Sequence, residues 1–184
     1  MHAGAKEIMS REAIVSLRES LAQSLPPGFQ LRGETADDFE FIVRLYASTR
    51  AEELAPVPWP EEAKQAFLRS QCELQHAHYQ KHYLNAEFLI IKREEQPVGR
   101  MYIHESEREI RLMDIAFIPE QRGQGVGTRL LHALLAYARA HNVTVTLHVE
   151  PLNPAQRLYA RLGFRLLEKR GAYHFLEWRP DNVN

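Results

Sequence analysis

Residues 115–127 read Ile-Ala-Phe-Ile-Pro-Glu-Gln-Arg-Gly-Gln-Gly-Val-Gly, and a helical run over 128–141 follows at once. An apolar strand runs into a basic, glycine-rich turn and then straight into a helix. Glycine lets backbone approach an anion closely, and a helix start presents unpaired N–H groups with partial positive charge. The segment therefore predicts a phosphate cradle. Its spacing excludes two familiar cradles. Gly123, Gly125 and Gly127 do not fit the G-x-G-x-x-G dinucleotide fingerprint, and no Gly-Lys-Ser/Thr follows as a P-loop needs. What remains is Arg-x-x-Gly-x-Gly over Arg122, Gly125 and Gly127.

A second segment, 148–164, reads His-Val-Glu-Pro-Leu-Asn-Pro-Ala-Gln-Arg-Leu-Tyr-Ala-Arg-Leu-Gly-Phe. Asn153 is a favoured helix N-cap, Pro154 suits a first helical position, and Gly163 suits a helix terminator. The two segments, in this order, resemble the signatures of the GNAT superfamily of N-acetyltransferases. The resemblance covers roughly residues 29–179. It implies an α/β (α+β) fold in which helices flank a mixed, mostly antiparallel central sheet, with splayed strands at an acetyl-CoA site.

Periodicity segments the chain compatibly with that fold. An N-terminal extension, 1–27, holds a helix that Ser10 can cap, with Ile14, Leu17, Leu21 and Leu25 at helical spacing and Pro26-Pro27-Gly28 as its stop. It is expected to cover part of the domain or a neighbouring subunit. The domain proper is expected over 28–180. Strand 29–32 ends at Gly33, and Thr35 or Asp37 caps a helix to about Ser48. A proline-rich loop over 50–60 and a helix over 61–83 follow. Strands 87–93 and 98–105 form a hairpin around 94–97, whose turn is not of the tight Asn-Gly type, and strand 110–118 enters the glycine loop. Strand 143–149, a helix from Asn153, and strands 164–168 and 172–178 complete the order.

The resemblance assigns roles residue by residue. Arg122, Gly123, Gln124, Gly125, Val126, Gly127 and Thr128 form the diphosphate grip. Backbone atoms of Ala116, Phe117 and Ile118 pair with pantetheine, and Asn153 contacts it. Tyr159, before x-x-Leu-Gly-Phe, serves the coenzyme sulfur as acid, a role that a phenol with a pKa near 10 suits. The general base varies in this superfamily and often works through water. Strand alternation places Asp114 on one face with Ala116 and Ile118, and His148 and Glu150 on one face of the next strand. Asp114, His148 and Glu150 are the candidates, and His148 needs the least tuning of its pKa. The acceptor site is expected among the first two helices and their loop, with Glu52, Glu53, Trp59 and Tyr79, and with Tyr173 from the last strands.

Composition narrows the alternatives. At 184 residues the chain suits one domain. A net charge of −1 with both signs dispersed gives no electrostatic reason to bind nucleic acid or an anionic membrane. No apolar run approaches the roughly 18 residues of a membrane span, and a cytoplasmic location is expected. Cys72 stands alone, which excludes an intramolecular disulfide, and it reads as packing. His78 and His82 stand four apart on a helix, but no Glu follows the first, so no metal is expected. A homodimer is compatible with the resemblance. The expected activity is direct transfer of an acetyl group from acetyl-CoA to a primary amine of a small molecule, amino acid, peptide or protein. The alternative is an acyl-CoA-binding sensor or scaffold without turnover.

Overall fold

A computed structural model describes residues 15–180. The chain runs α1 (Leu17–Ser24), β1 (Phe29–Gly33), a 3-10 turn (Ala36–Asp38), α2 (Phe39–Leu54), α3 (Glu61–His82), β2 (Glu87–Arg93), β3 (Gln96–Glu105) and β4 (Glu109–Phe117). A second 3-10 turn (Pro119–Gln121), α4 (Val126–His141), β5 (Thr144–Val149), α5 (Gln156–Arg161), β6 (Arg165–Arg170) and β7 (Tyr173–Trp178) follow. The strands form one seven-stranded sheet in the order β1-β2-β3-β4-β5-β7-β6. Only β4 and β5 run parallel. The expected mixed, mostly antiparallel sheet is present.

Helices cover both faces. On one side Leu17 and Leu21 of α1, Leu130 and Leu134 of α4 and Tyr159 of α5 pack on Leu89, Met101, Ile103 and Ile110. On the other, Phe41, Ile42 and Leu45 of α2 and Cys72 of α3 pack on Ile90. Cys72 is thus a buried packing residue. Helix α1 belongs to the main core, because its two buried leucines lie four apart on one face.

Several boundaries differ from the sequence expectation. The helix carrying Leu17 and Leu21 is capped by Ser16 in a reciprocal capping box with Glu19, whereas Ser10 and Ile14 lie outside the described residues. Helix α2 runs on to Leu54, so Arg50, Glu52 and Glu53 are helical, and only 55–60 are loop. Strand β3 begins at Gln96 rather than Val98, so the β2–β3 turn is the two residues Glu94 and Glu95, not Asn-Gly, with Arg93 paired to Gln96 and Glu94 at φ 54°. A bulge after Ile91 absorbs the register difference. Helix α5 starts at Gln156, and Asn153 instead closes the preceding turn, its Oδ1 accepting from the Ala155 N–H at 2.9 Å. Gly163, at φ 94°, ends α5 as expected. Its N–H donates to Ala160 and that of Phe164 to Tyr159, a Schellman closure.

An ion pair ties β1 to the start of α2. Arg32 grips Asp38 with two bonds of 2.7 Å, and the Thr35 N–H adds a third at 2.8 Å. The guanidinium, with help from Thr35, holds the Asp38 carboxyl down at about 2, from its usual 3.8. A depressed carboxyl pKa stabilises the fold above the unfolded value and loses that contribution as pH falls through the folded one. Thermal melts taken from pH 5 downward should show wild-type stability falling as pH drops from about 4 toward about 2. Asp38→Asn should begin less stable and show a shallower decline over that window.

Candidate active site

The parallel β4–β5 pairing lasts only from Glu109↔Thr144 to Leu112↔Leu147. Beyond Leu112 the two strands part, while β4 stays paired with β3 as far as Phe117↔Gly99. Among the described residues one edge of β4 therefore has no strand partner from Met113 onward, although the Tyr79 hydroxyl donates to the Met113 carbonyl at 3.3 Å. The Ile118 N–H donates to Val98 of β3. By the alternation of an antiparallel ladder, Ala116 and Ile118 turn their backbone groups toward β3, and Met113, Ile115 and Phe117 face the opening. This corrects the expectation for Ala116 and Ile118. Phe117 and Ile115 are residues whose backbone faces the opening.

Beyond this edge lies the glycine loop. Gly123 and Gly125 adopt φ 72° and 81°, backbone conformations that side chains rarely accept. Gly125 is the N-cap of α4, whose first turn starts at Val126. Among the described residues, no backbone or side-chain acceptor takes the N–H groups of Gly123, Gln124, Gly125, Val126, Gly127 or Thr128. A Cβ placed on Gly123 or Gly125 would meet nothing within 4 Å. The loop is an open row of donors at a helix start, which is an anion site in form. Arg122, expected in the grip, has two of its guanidinium nitrogens engaged within the protein. Its Nε donates to the Phe117 carbonyl and its Nη2 to Ser48 Oγ of α2, both at 2.9 Å, so the guanidinium braces the loop. The Phe117 ring is wedged between two glycines. A Cβ on Gly99 would lie 2.7 Å from the Ala116 carbonyl and 2.9 Å from the ring, and one on Gly127 3.3 Å from the ring.

A cavity of about 440 Å³ opens where β4 and β5 part, bounded by α2, α3 and β7. Its lining includes Asp114, Ala116, His148, Glu150, Asn153, Tyr79 and Tyr173. The sequence candidates therefore converge here, with exceptions. Glu52 and Glu53 sit on the last turns of α2 outside this lining, and Glu53 accepts from Arg50 Nη1 at 3.0 Å. Trp59, 46 % exposed, packs edge-on against Phe67, also outside the lining. Glu52 and Trp59 thus stand apart from the cavity, because α2 runs on and the proline loop folds onto α3, and Glu53 touches it only through Arg50, whose Nη1 it shares with Glu150. A larger cleft of about 990 Å³ between α2 and α3 carries none of the candidates.

Two of the polar candidates are held in ion pairs. Asp114 accepts from Arg100 Nε at 2.7 Å, and Arg100, only 3 % exposed, also donates to Gln75 at 3.0 Å and lies 4.9 Å over the Tyr102 ring. Burial alone would lower the Arg100 pKa, but the Asp114 charge outweighs it and keeps the group cationic. Tyr102 donates to Glu34, whose other oxygen lies 2.6 Å from His76 Nε2. Glu150 accepts from Arg50.

His148 differs. Its ring stacks on Phe175 at 4.8 Å, and burial, then Arg111 and Arg170, push its pKa below 6.5. It is a neutral imidazole at pH 7. Tyr159 is 6 % exposed, outside the cavity lining, and no group among the described residues hydrogen-bonds its hydroxyl. Burial, and secondarily the charge of Asp114, push its pKa up to about 12. Arg100, Glu34 and Gly99 were missed in sequence. The available signal was Asp114 itself, since an acid inside an apolar strand calls for a buried cation.

Comparison with known proteins gives this geometry a family. The acetyltransferase (GNAT) family matches residues 44–164. The chain is similar in fold to the PaiA N-acetyltransferase of Thermoplasma acidophilum in complex with coenzyme A, at 17 % identity over 82 % of this chain and 98 % of that one, with a TM-score of 0.61. It is also similar to the histone acetyltransferase HPA2 and related acetyltransferase of Corynebacterium glutamicum, at 23 % identity over 85 % and 98 %, TM-score 0.57. An acetyltransferase from Thermus thermophilus gives 17 %, 82 %, 96 % and 0.58. Among the described residues no helix is long and apolar enough to cross a membrane. The chain belongs to the acetyltransferase (GNAT) family.

Proposed function

We propose that the protein is an acetyl-CoA-dependent N-acetyltransferase that moves the acetyl group directly to a primary amine in a ternary complex. The observation that carries this reading is the row of unpaired N–H groups from Gly123 to Thr128 beside the open β4 edge. The N–H row fits a diphosphate, and the backbone groups of Ile115 with the N–H of Phe117, whose carbonyl Arg122 already takes, fit the amides of pantetheine, which would pair like an added strand. Asn153, on the cavity wall, is suited to a further pantetheine contact. The coenzyme supplies an activated acyl group whose leaving group is a thiolate.

The chain's own residues divide the remaining tasks. Neutral His148 accepts the ammonium proton, directly or through water, because Asp114 and Glu150 are held by Arg100 and Arg50. Tyr159 holds its proton at any physiological pH and presents it toward the departing sulfur. A phenol at about 12 is a weaker acid than one near 10, but the burial that raises it raises a neighbouring thiol as well, so donor and acceptor remain matched. Tyr79 and Tyr173 flank the acceptor in the cavity.

The reading is tested by thiol release from acetyl-CoA across a panel of amines, with coenzyme A binding measured by calorimetry. A side chain at Gly125 must adopt φ 81° and enters the open space before the donors. Gly125→Ala should therefore weaken coenzyme binding at least about tenfold while costing about 1–2 kcal/mol of stability. Unchanged affinity in that variant would remove the loop from the coenzyme site. Tight coenzyme binding without release on any amine would favour the sensor alternative.

A further inference from the structure

The cavity has a charge character that says what kind of amine it takes. Three guanidinium groups line it, those of Arg50, Arg100 and Arg111, against two carboxylates, Asp114 and Glu150. Both carboxylates are engaged, by Arg100 and Arg50 respectively. An acceptor with a second ammonium group finds no unpaired acid in this lining, and a desolvated charge without a partner is costly. Arg111 is the complement. Its Nε and Nη2 both go to Glu109 Oε1, at 3.0 and 2.9 Å, and Glu109 stands outside the cavity lining. Its Nη1 meets only the Tyr83 hydroxyl, at a long 3.4 Å. Arg111 pairs with Thr146 across β4 and β5, which sets it on the strand face that also carries His148 two residues further along. A guanidinium with a spare corner is suited to a planar carboxylate.

On the reading of the protein as an N-acetyltransferase, we propose that its acceptor is a small amine bearing its own carboxylate, an amino acid rather than a polyamine or a protein lysine, with Arg111 taking that carboxylate. The size of the cavity, about 440 Å³, is that of a small-molecule site. In the reaction the amine nitrogen forms a bond to the acetyl carbonyl carbon as the carbon–sulfur bond breaks. One proton of the ammonium passes to His148 before attack, and the sulfur leaves with the electron pair and takes the Tyr159 proton, which the second proton lost by the nitrogen replaces.

The test compares the L-amino acids with their carboxamides and with spermidine in the thiol-release assay, on wild type, Arg111→Gln and Arg111→Lys. Acetyl-CoA affinity and a thermal melt are measured for each variant as controls of the fold. At least one amino acid should exceed its own amide by about tenfold or more in kcat/KM, mainly through KM. Arg111→Gln should bring that ratio close to one, and Arg111→Lys, which keeps the charge without the fork, should fall between. Amides or spermidine turned over as well as the acids, or a ratio unchanged in Arg111→Gln, would overturn the carboxylate assignment and leave acetyl transfer standing. Coenzyme binding with no amino acid acetylated would overturn it too. A chain that binds no acetyl-CoA would remove the N-acetyltransferase reading and this inference with it.

Discussion

Tyr159→Phe should lower kcat for acetyl transfer by about 10²-fold or more, the scale of a lost general acid, while coenzyme affinity changes only a few-fold. The substitution is unusually clean for a buried residue. The ring stays packed edge-on against Phe164 at 5.5 Å in the main core. The hydroxyl has no hydrogen-bond partner among the described residues, so its removal strands no donor or acceptor there. The melting temperature should therefore move by no more than about 2–4 °C, the shift that about 1 kcal/mol gives in a chain of this size. Thiol release and a thermal melt on the same preparation separate the two effects. A variant with full activity would assign the phenol to packing and leave the sulfur to another donor or to water.

Asp114→Ala should have the larger effect on stability. It leaves Arg100, 3 % exposed, with its charge and no counter-ion. Breaking a buried pair from one side costs about 3–5 kcal/mol, or a fall of roughly 6–20 °C in Tm at 2–4 °C per kcal/mol. Asp114→Asn, which retains an acceptor for the Nε proton, should lie between. The same experiment divides the candidate bases. Activity lost together with stability means that Asp114 anchors the sheet. Activity lost from a variant that melts like wild type would make Asp114 the base and displace His148.

The sequence carried the order of elements and the heart of the site because both are local. Strand 110–118, the glycine turn and the helix after it lie in one uninterrupted stretch, and Gly163 closes α5 where a terminator was expected. Boundaries failed where composition misled. Acids and nearby prolines made residues 50–54 look like loop, although nothing before Pro56 stops a helix, and α2 runs to Leu54. The pairings that tune the site were beyond reach for a different reason. Arg100 finds Asp114 fourteen residues away and Gln75 twenty-five away, and Arg50 finds Glu150 a hundred away. Only the folded sheet brings these charges together: Asp114 in its apolar strand calls for a partner, but nothing in sequence says which. Which backbone groups of β4 face the opening likewise followed from the β3 register, not from the motif.

The Phe117 ring also bears on how this sequence can drift over generations. Among the described protein atoms a Cβ at 127 would crowd only that ring, so a smaller residue at 117 would make room for one. Positions 117 and 127 can thus trade volume, and descendants should change them together. Position 99 has no such freedom: the Ala116 carbonyl, 2.7 Å from the would-be Cβ, belongs to the main chain and remains whatever residue stands at 117. Glycine at 99 is inherited with the β3–β4 pairing itself, while glycine at 127 is inherited with its neighbour's side chain.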